Sequence, residues 1–151
     1  MARRPKIGFV LGAGSARGWA HIGVLRALTE ERIRPDFIAG SSVGALVGAA
    51  YAAGRLDQLE TWALGLDWKR ILRLADFGLR GGLIRGRRMR EVFREQFVEQ
   101  TFSELSVPFA AVATDLHSGQ EIWLRDGKVS DAIGASIAVP GLFQPVLYED
   151  R

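Results

Sequence analysis

At 151 residues the chain is long enough for one domain with a real core, and 48% hydrophobic against 25% charged residues excludes a disordered polymer. The absence of cysteine excludes disulfides and thiolate catalysis, and two histidines are a thin basis for a zinc centre. The formal net charge of +3 suits an anionic surface without calling for nucleic acid.

The N-terminal Met1-Ala2-Arg3-Arg4-Pro5-Lys6 has the charge of a signal n-region, but the apolar run behind it, residues 7–11, is too short for an h-region. No uninterrupted apolar stretch is long enough to cross a bilayer. The expectation is a cytoplasmic protein, with peripheral membrane contact left open. Residues 6–11 read as a first buried strand. It runs into Gly12-Ala13-Gly14-Ser15-Ala16-Arg17-Gly18, after which residues 19–31 take a helical pattern with Ile22, Leu25 and Leu28 on one face. Phe37-Ile38-Ala39 reads as a second strand. It meets Gly40-Ser41-Ser42-Val43-Gly44, a G-x-S-x-G match, and residues 45–53 follow as an apolar helix.

Strand, sharp turn and helix are the context of a nucleophile elbow. Gly40 and Gly44 keep side chains out of the turn, so Ser42, flanked by Ser41 and Val43, is the candidate nucleophile. Its place at a helix N-terminus favours developing negative charge. The order strand, glycine turn, helix, strand, elbow, helix is a βαβα unit, which predicts a mainly parallel sheet in a single domain. A glycine-rich turn aims backbone N–H groups either at a phosphate or at an oxyanion. The dinucleotide fingerprint wants glycine where Arg17 stands and an acid at the end of the second strand. Asp36 lies at the beginning of that strand, so a nucleotide-binding oxidoreductase module is the second choice.

Beyond Gly54, Leu56, Leu59, Ala63 and Leu66 form a helical stripe, and Trp62, Trp68, Ile71, Leu72, Leu74 and Phe77 crowd the next turns. Core packing is the plain reading of these aromatics, with residues 68–79 the exception that could meet acyl chains or a membrane interface. Arg80, Arg85, Arg87, Arg88 and Arg90 cluster ahead of a helix predicted over residues 89–100, where they oppose the macrodipole; anionic phospholipid headgroups are the functional candidate to offset them, and solvation with Glu91, Glu95 and Glu99 is the plainer reading. The cluster lacks interleaved stacking aromatics, so no nucleic acid partner is expected. Residues 107–114 read as a strand, 120–125 as its hairpin neighbour, Asp126-Gly127 as a hairpin turn, 129–138 as a short helix and 144–148 as a further strand. Ser136 lacks the pair of flanking glycines of an elbow and is read as structural; His21 is expected to pack or cap, and His117 to lie in a solvated loop.

Gly14-Ser15-Ala16-Arg17-Gly18 after the first strand, with Gly40-Ser41-Ser42-Val43-Gly44 after the second, resembles the patatin-like phospholipase family, most of all its bacterial members. Gly81-Gly82-Leu83-Ile84-Arg85-Gly86, Ala113-Thr114-Asp115-Leu116 and Ala135-Ser136-Ile137-Ala138-Val139-Pro140-Gly141-Leu142-Phe143 extend the resemblance over nearly the whole chain. It implies a three-layer α/β/α fold and a lipid acyl hydrolase with a Ser–Asp dyad, acting on a lipid or ester substrate without metal or cofactor. Ser42 maps to the nucleophile. Gly14, Ser15 and Ala16 map to the backbone oxyanion hole, followed by the family's Arg17-Gly18. Plant-type members carry three glycines where this chain has Ala13-Gly14-Ser15.

The family's dyad aspartate lies in an Asp-Gly-Gly or Asp-Gly-Ala motif shortly after the Pro-Gly-x-Phe-x-Pro segment, and residues 144–151 reach that neighbourhood without it. The 151 residues are therefore read as an N-terminal fragment short of its base, inactive or nearly so by itself, with self-association left open. A Ser-His-Asp triad is unlikely on spacing, because the only later histidine, His117, stands two residues from Asp115. A non-catalytic lipid- or protein-binding regulator on the same fold is the third reading.

Overall fold

The structure, a computed structural model, describes residues 4–67 and 86–148. Strand β1 (Gly8–Leu11) leads through a 3-10 turn (Ser15–Trp19) into α1 (Ala20–Glu30), and β2 (Phe37–Ser41) leads directly into α2 (Val43–Ala52). Then come α3 (Leu56–Leu64), α4 (Arg87–Gln96), a second 3-10 turn (Phe102–Glu104), β3 (Phe109–Thr114), β4 (Glu121–Leu124) and α5 (Val129–Ile137). The result is a mixed α/β fold on a four-stranded sheet of order β1-β2-β3-β4. The first three strands are parallel and β4 returns antiparallel to β3.

Sequence explains most of this directly. Helix α2 is apolar all round and is buried from Gly44 to Ala50, the behaviour of a central helix rather than a surface one. It packs in one core with Leu11, Ile38, Phe109, Ala111 and Leu124 of the sheet and with Ile22 and Leu25 of α1. Val47 and Ile133 are fully buried, each such side chain contributing about 1.5–3 kcal/mol of transfer free energy. Helix α1 ends with Arg32 at φ 60°, and the Ile33 N–H reaches back to the Leu28 carbonyl at 2.8 Å, closing the last turn. Asp36 ties the two strand entries together. Its carboxylate accepts from the Ile7 N–H (2.8 Å) and from Arg4 (2.7 Å), while its own N–H donates to the Ile7 carbonyl (2.7 Å).

Several boundaries differ from expectation. The helix predicted to run to Gln100 stops at Gln96, because Phe97 and Val98 turn inward to the core and the Gln100 carbonyl accepts from the Val129 N–H. Asp126-Gly127 is not a hairpin turn. Gly127, at φ 72°, lies in the bend between β4 and α5, next to a Thr101–Lys128 bridge. Residues 144–148 form no strand; the Tyr148 hydroxyl instead donates to the Asp126 carbonyl. The aromatic stretch at 68–79, Arg80, Arg85 and the glycines at 81 and 82 lie outside the described residues. Trp62 is half-buried in an edge-to-face series with Trp19 and Phe97 at 6.1 and 5.6 Å, the core role expected of it.

The helices and the sheet meet most tightly at the start of α2. A Cβ on Gly44 would run into the Leu11 carbonyl and come within 2.6 Å of the Gly12 oxygen, both backbone atoms that cannot step aside. Gly23, within α1, has open space around the same position. Gly44→Ala is thus expected to cost about 3 kcal/mol or more in urea unfolding, whereas Gly23→Ala should add about 0.5–1 kcal/mol.

Candidate active site

Ser42 sits between β2 and α2 with φ 55° and ψ −122°, a backbone conformation that serine seldom adopts. Strain of this kind costs on the order of 1–3 kcal/mol and persists only where the surroundings hold it. Here both neighbours in the turn supply the constraint. A Cβ on Gly40 would stand 2.5 Å from the Gly44 carbonyl and 2.6 Å from the Ala45 Cα, so the strand can bend into the helix only with glycine at 40. Ser42 is half-buried, and its hydroxyl makes no hydrogen bond among the described residues.

The glycine turn lies against the same corner. Gly44 abuts the carbonyls of Leu11 and Gly12, and Gly18 is buried so closely on Val43 that a Cβ there would lie 2.8 Å from the valine side chain. His21, in the first turn of α1, has Nε2 2.9 Å from the Gly12 carbonyl. A carbonyl only accepts, so Nε2 carries the proton, and His21 orients the first peptide of the turn. The Arg17 N–H is spent on the Gly14 carbonyl at 3.0 Å. Residues 12–17 are exposed, so the turn faces solvent beside the elbow.

Ser136, at the end of α5, reaches the elbow across 94 residues of sequence. The Ser42 N–H donates to its Oγ at 2.8 Å, and the Ser136 hydroxyl donates to the Val112 carbonyl at 2.7 Å. The backbone N–H of Ser42 is therefore committed and cannot serve an oxyanion. Asp115 is committed as well: its carboxylate accepts from the N–H groups of His117 (3.0 Å) and Ser118 (2.8 Å) and from the Ser118 hydroxyl (3.0 Å). The Ser118 backbone and hydroxyl hydrogen bonds, above all, hold its pKa below the ordinary aspartate value. His117 is exposed in that loop, as expected. Among the described residues no carboxylate hydrogen-bonds Ser42, and no cluster of acidic or histidine side chains could hold a metal ion. No helix among them is long and apolar enough to cross a membrane.

The patatin-like phospholipase family model matches residues 9–151. The chain belongs to the patatin-like phospholipase family. An uncharacterized NTE family protein of Mycobacterium tuberculosis is 43% identical over 148 residues, which cover 97% of this chain and 41% of that protein. A patatin-like phospholipase domain-containing protein of Caenorhabditis elegans is 31% identical over 147 residues, covering 93% of this chain and 11% of that one. The crystal structure of the type III effector protein ExoU is similar in fold, with a TM-score of 0.61 at 16% identity, covering 92% of this chain and 40% of that one. The chain thus spans about two fifths of the length of the Mycobacterium relative.

This patatin-like chain places its two sequence motifs in contact, at the C-terminal ends of adjacent parallel strands. Two further residues stand at the corner: His21, expected to pack or cap, and Ser136, expected to be structural. The visible signal for Ser136 was a lone serine in a run of small apolar residues near a helix end. Ser15 carries a positive φ of 48°, at the position where plant-type members have glycine. Ser15→Gly should therefore relieve left-handed strain and stabilise the fold by about 0.5–1 kcal/mol, while Ser15→Val should destabilise it; chemical denaturation of the two variants measures both.

Proposed function

We propose that the chain forms the nucleophile half of a serine-dependent lipid acyl hydrolase, with Ser42 attacking the acyl carbonyl of a lipid ester. The observation that carries this reading is the strained Ser42 backbone at the end of β2, pressed against the glycine turn through Gly44 and Gly18. Strain kept at a residue whose hydroxyl has no partner among the described residues supports a functional reading.

In the proposed reaction the Ser42 oxygen adds to the carbonyl carbon, and the negative charge collects on the former carbonyl oxygen. With the Ser42 and Arg17 amides committed, the N–H groups of Gly14, Ser15 and Ala16 are the donors assigned to that oxygen. Each such donor is worth roughly 3 kcal/mol of barrier. The proton of Ser42 goes to a base, which the family resemblance assigns to an aspartate following the Pro-Gly segment. Collapse of the tetrahedral species expels the alcohol, whose oxygen takes the proton back from the base, and leaves an acyl-serine; water then adds to it, gives a proton to the base, and the acid leaves as that proton returns to Ser42. The nucleotide-binding reading is not favoured: Arg17 occupies the place of its third glycine, and the elbow fills the end of β2 where its acid would stand.

In the full-length protein, Ser42→Ala should lower turnover of a carboxylic ester by on the order of 10³-fold or more while leaving the fold intact. Retention of ester turnover by that variant would rule out Ser42 as nucleophile.

A further inference from the structure

In the parallel ladder between β2 and β3, Ile38 is in register with Phe109, and its N–H donates to the carbonyl one residue earlier, Pro108, at 2.9 Å. Parallel ladders repeat this bond every two residues. Continued by that step, the pattern would hand the Ser42 N–H to the carbonyl of Val112. The last registered pair is Ser41 with Val112, and there β2 bends into the elbow. The two groups do not meet directly. The Ser136 hydroxyl stands between them, accepting from Ser42 at 2.8 Å and donating to Val112 at 2.7 Å. Since an N–H can only donate and a carbonyl can only accept, the hydroxyl proton has one place to go, and both bonds are used at once.

We infer that Ser136 is a positioning residue for the proposed reaction: its hydroxyl is a spacer, one oxygen wide, in the final rung of the sheet, and it sets where the nucleophile elbow departs from β3. Three consequences bear on catalysis. The spacer satisfies the Ser42 N–H, which would otherwise be half-buried without a partner at a strained residue. It also fixes the distance between the strand end and the elbow, and so the height at which the Ser42 hydroxyl meets the glycine turn. Finally, it removes the Ser42 N–H from the oxyanion donors, which leaves that task to the turn. The spacer comes from α5, so the position of this late helix, 94 residues along the chain, is coupled to the geometry of the serine. Gly134, two residues before Ser136, lets the Arg90 side chain of α4 lie against α5, which helps seat the helix that carries the spacer.

This inference rests on the nucleophile reading, and its test separates the two. Ester turnover per folded molecule is measured in the full-length protein for Ser136→Ala, Ser136→Cys and Ser136→Thr beside Ser42→Ala. Cysteine fills nearly the same volume with a poor hydrogen-bonding group, and threonine keeps the hydroxyl. The alanine and cysteine variants should lose about ten- to a hundredfold in kcat with KM moving less than about threefold, because misplacement by a fraction of an ångström acts on the reacting geometry. The threonine variant should stand well above both. A folded cysteine or alanine variant with wild-type kcat, a loss confined to KM, or a threonine variant no better than alanine would overturn the spacer role. Activity retained by Ser42→Ala would instead overturn the nucleophile assignment beneath it.

Discussion

The contact between Gly44 and the end of β1 governs the arrangement of the whole corner. With no side chain at 44, the first turn of α2 rests directly on the carbonyls of Leu11 and Gly12. The same contact sets the start of the glycine turn, which leaves β1 at that point, and His21 holds its first carbonyl. Because α2 is buried along nearly its full length, it cannot slide to make room for a larger residue. Close packing of a central helix thus becomes close approach of two loops. That approach is what an acyl-transfer site needs, since the nucleophile and the oxyanion donors must face one carbonyl.

Strain and its offsets are concentrated in the same few residues. Ser42 and Ser15 both hold positive φ without being glycine, one in each turn. The elbow is held by the absent side chains at Gly40 and Gly44 and by the bond from the Ser42 N–H to Ser136. The glycine turn is held by its internal Arg17-to-Gly14 bond, by the Gly18 contact with Val43 and by His21. Every constraint on the elbow comes from a different element: β1, α2 or α5. Local sequence preference alone would relax both turns, so the geometry is a property of the assembled fold.

Much of this was legible in the sequence, for physical reasons. The apolar run at residues 6–11, the continuous apolarity of α2 and the glycines at 40 and 44 have a single structural solution, strand to elbow to helix. The alternation in 120–125, next to the turn at Asp115, gave the antiparallel fourth strand. What was not legible depends on distant partners. The early end of α4 follows from Phe97 and Val98 turning into the core, which helical periodicity does not encode. Asp126-Gly127 has the composition of a hairpin turn, yet the Gly127 carbonyl accepts from the Phe102 N–H, and the segment leads into a helix. Ser136 stands out only as a lone serine among small apolar residues, which says nothing of its partners. Its partners, Ser42 and Val112, are 94 and 24 residues away and become neighbours only when the sheet is complete.

In the proposed reaction one carbonyl oxygen lies between the Ser42 hydroxyl and the amides of the glycine turn. A crystal structure of the full-length protein inactivated with a fluorophosphonate measures this directly, because the phosphonyl oxygen stands where the oxyanion would. Phosphorus is expected on Ser42 Oγ, with the phosphonyl oxygen accepting hydrogen bonds from the N–H groups of Gly14, Ser15 or Ala16 while the Ser42 N–H stays on Ser136. An adduct on another serine, or a phosphonyl oxygen turned to solvent with those amides unengaged, would contradict it.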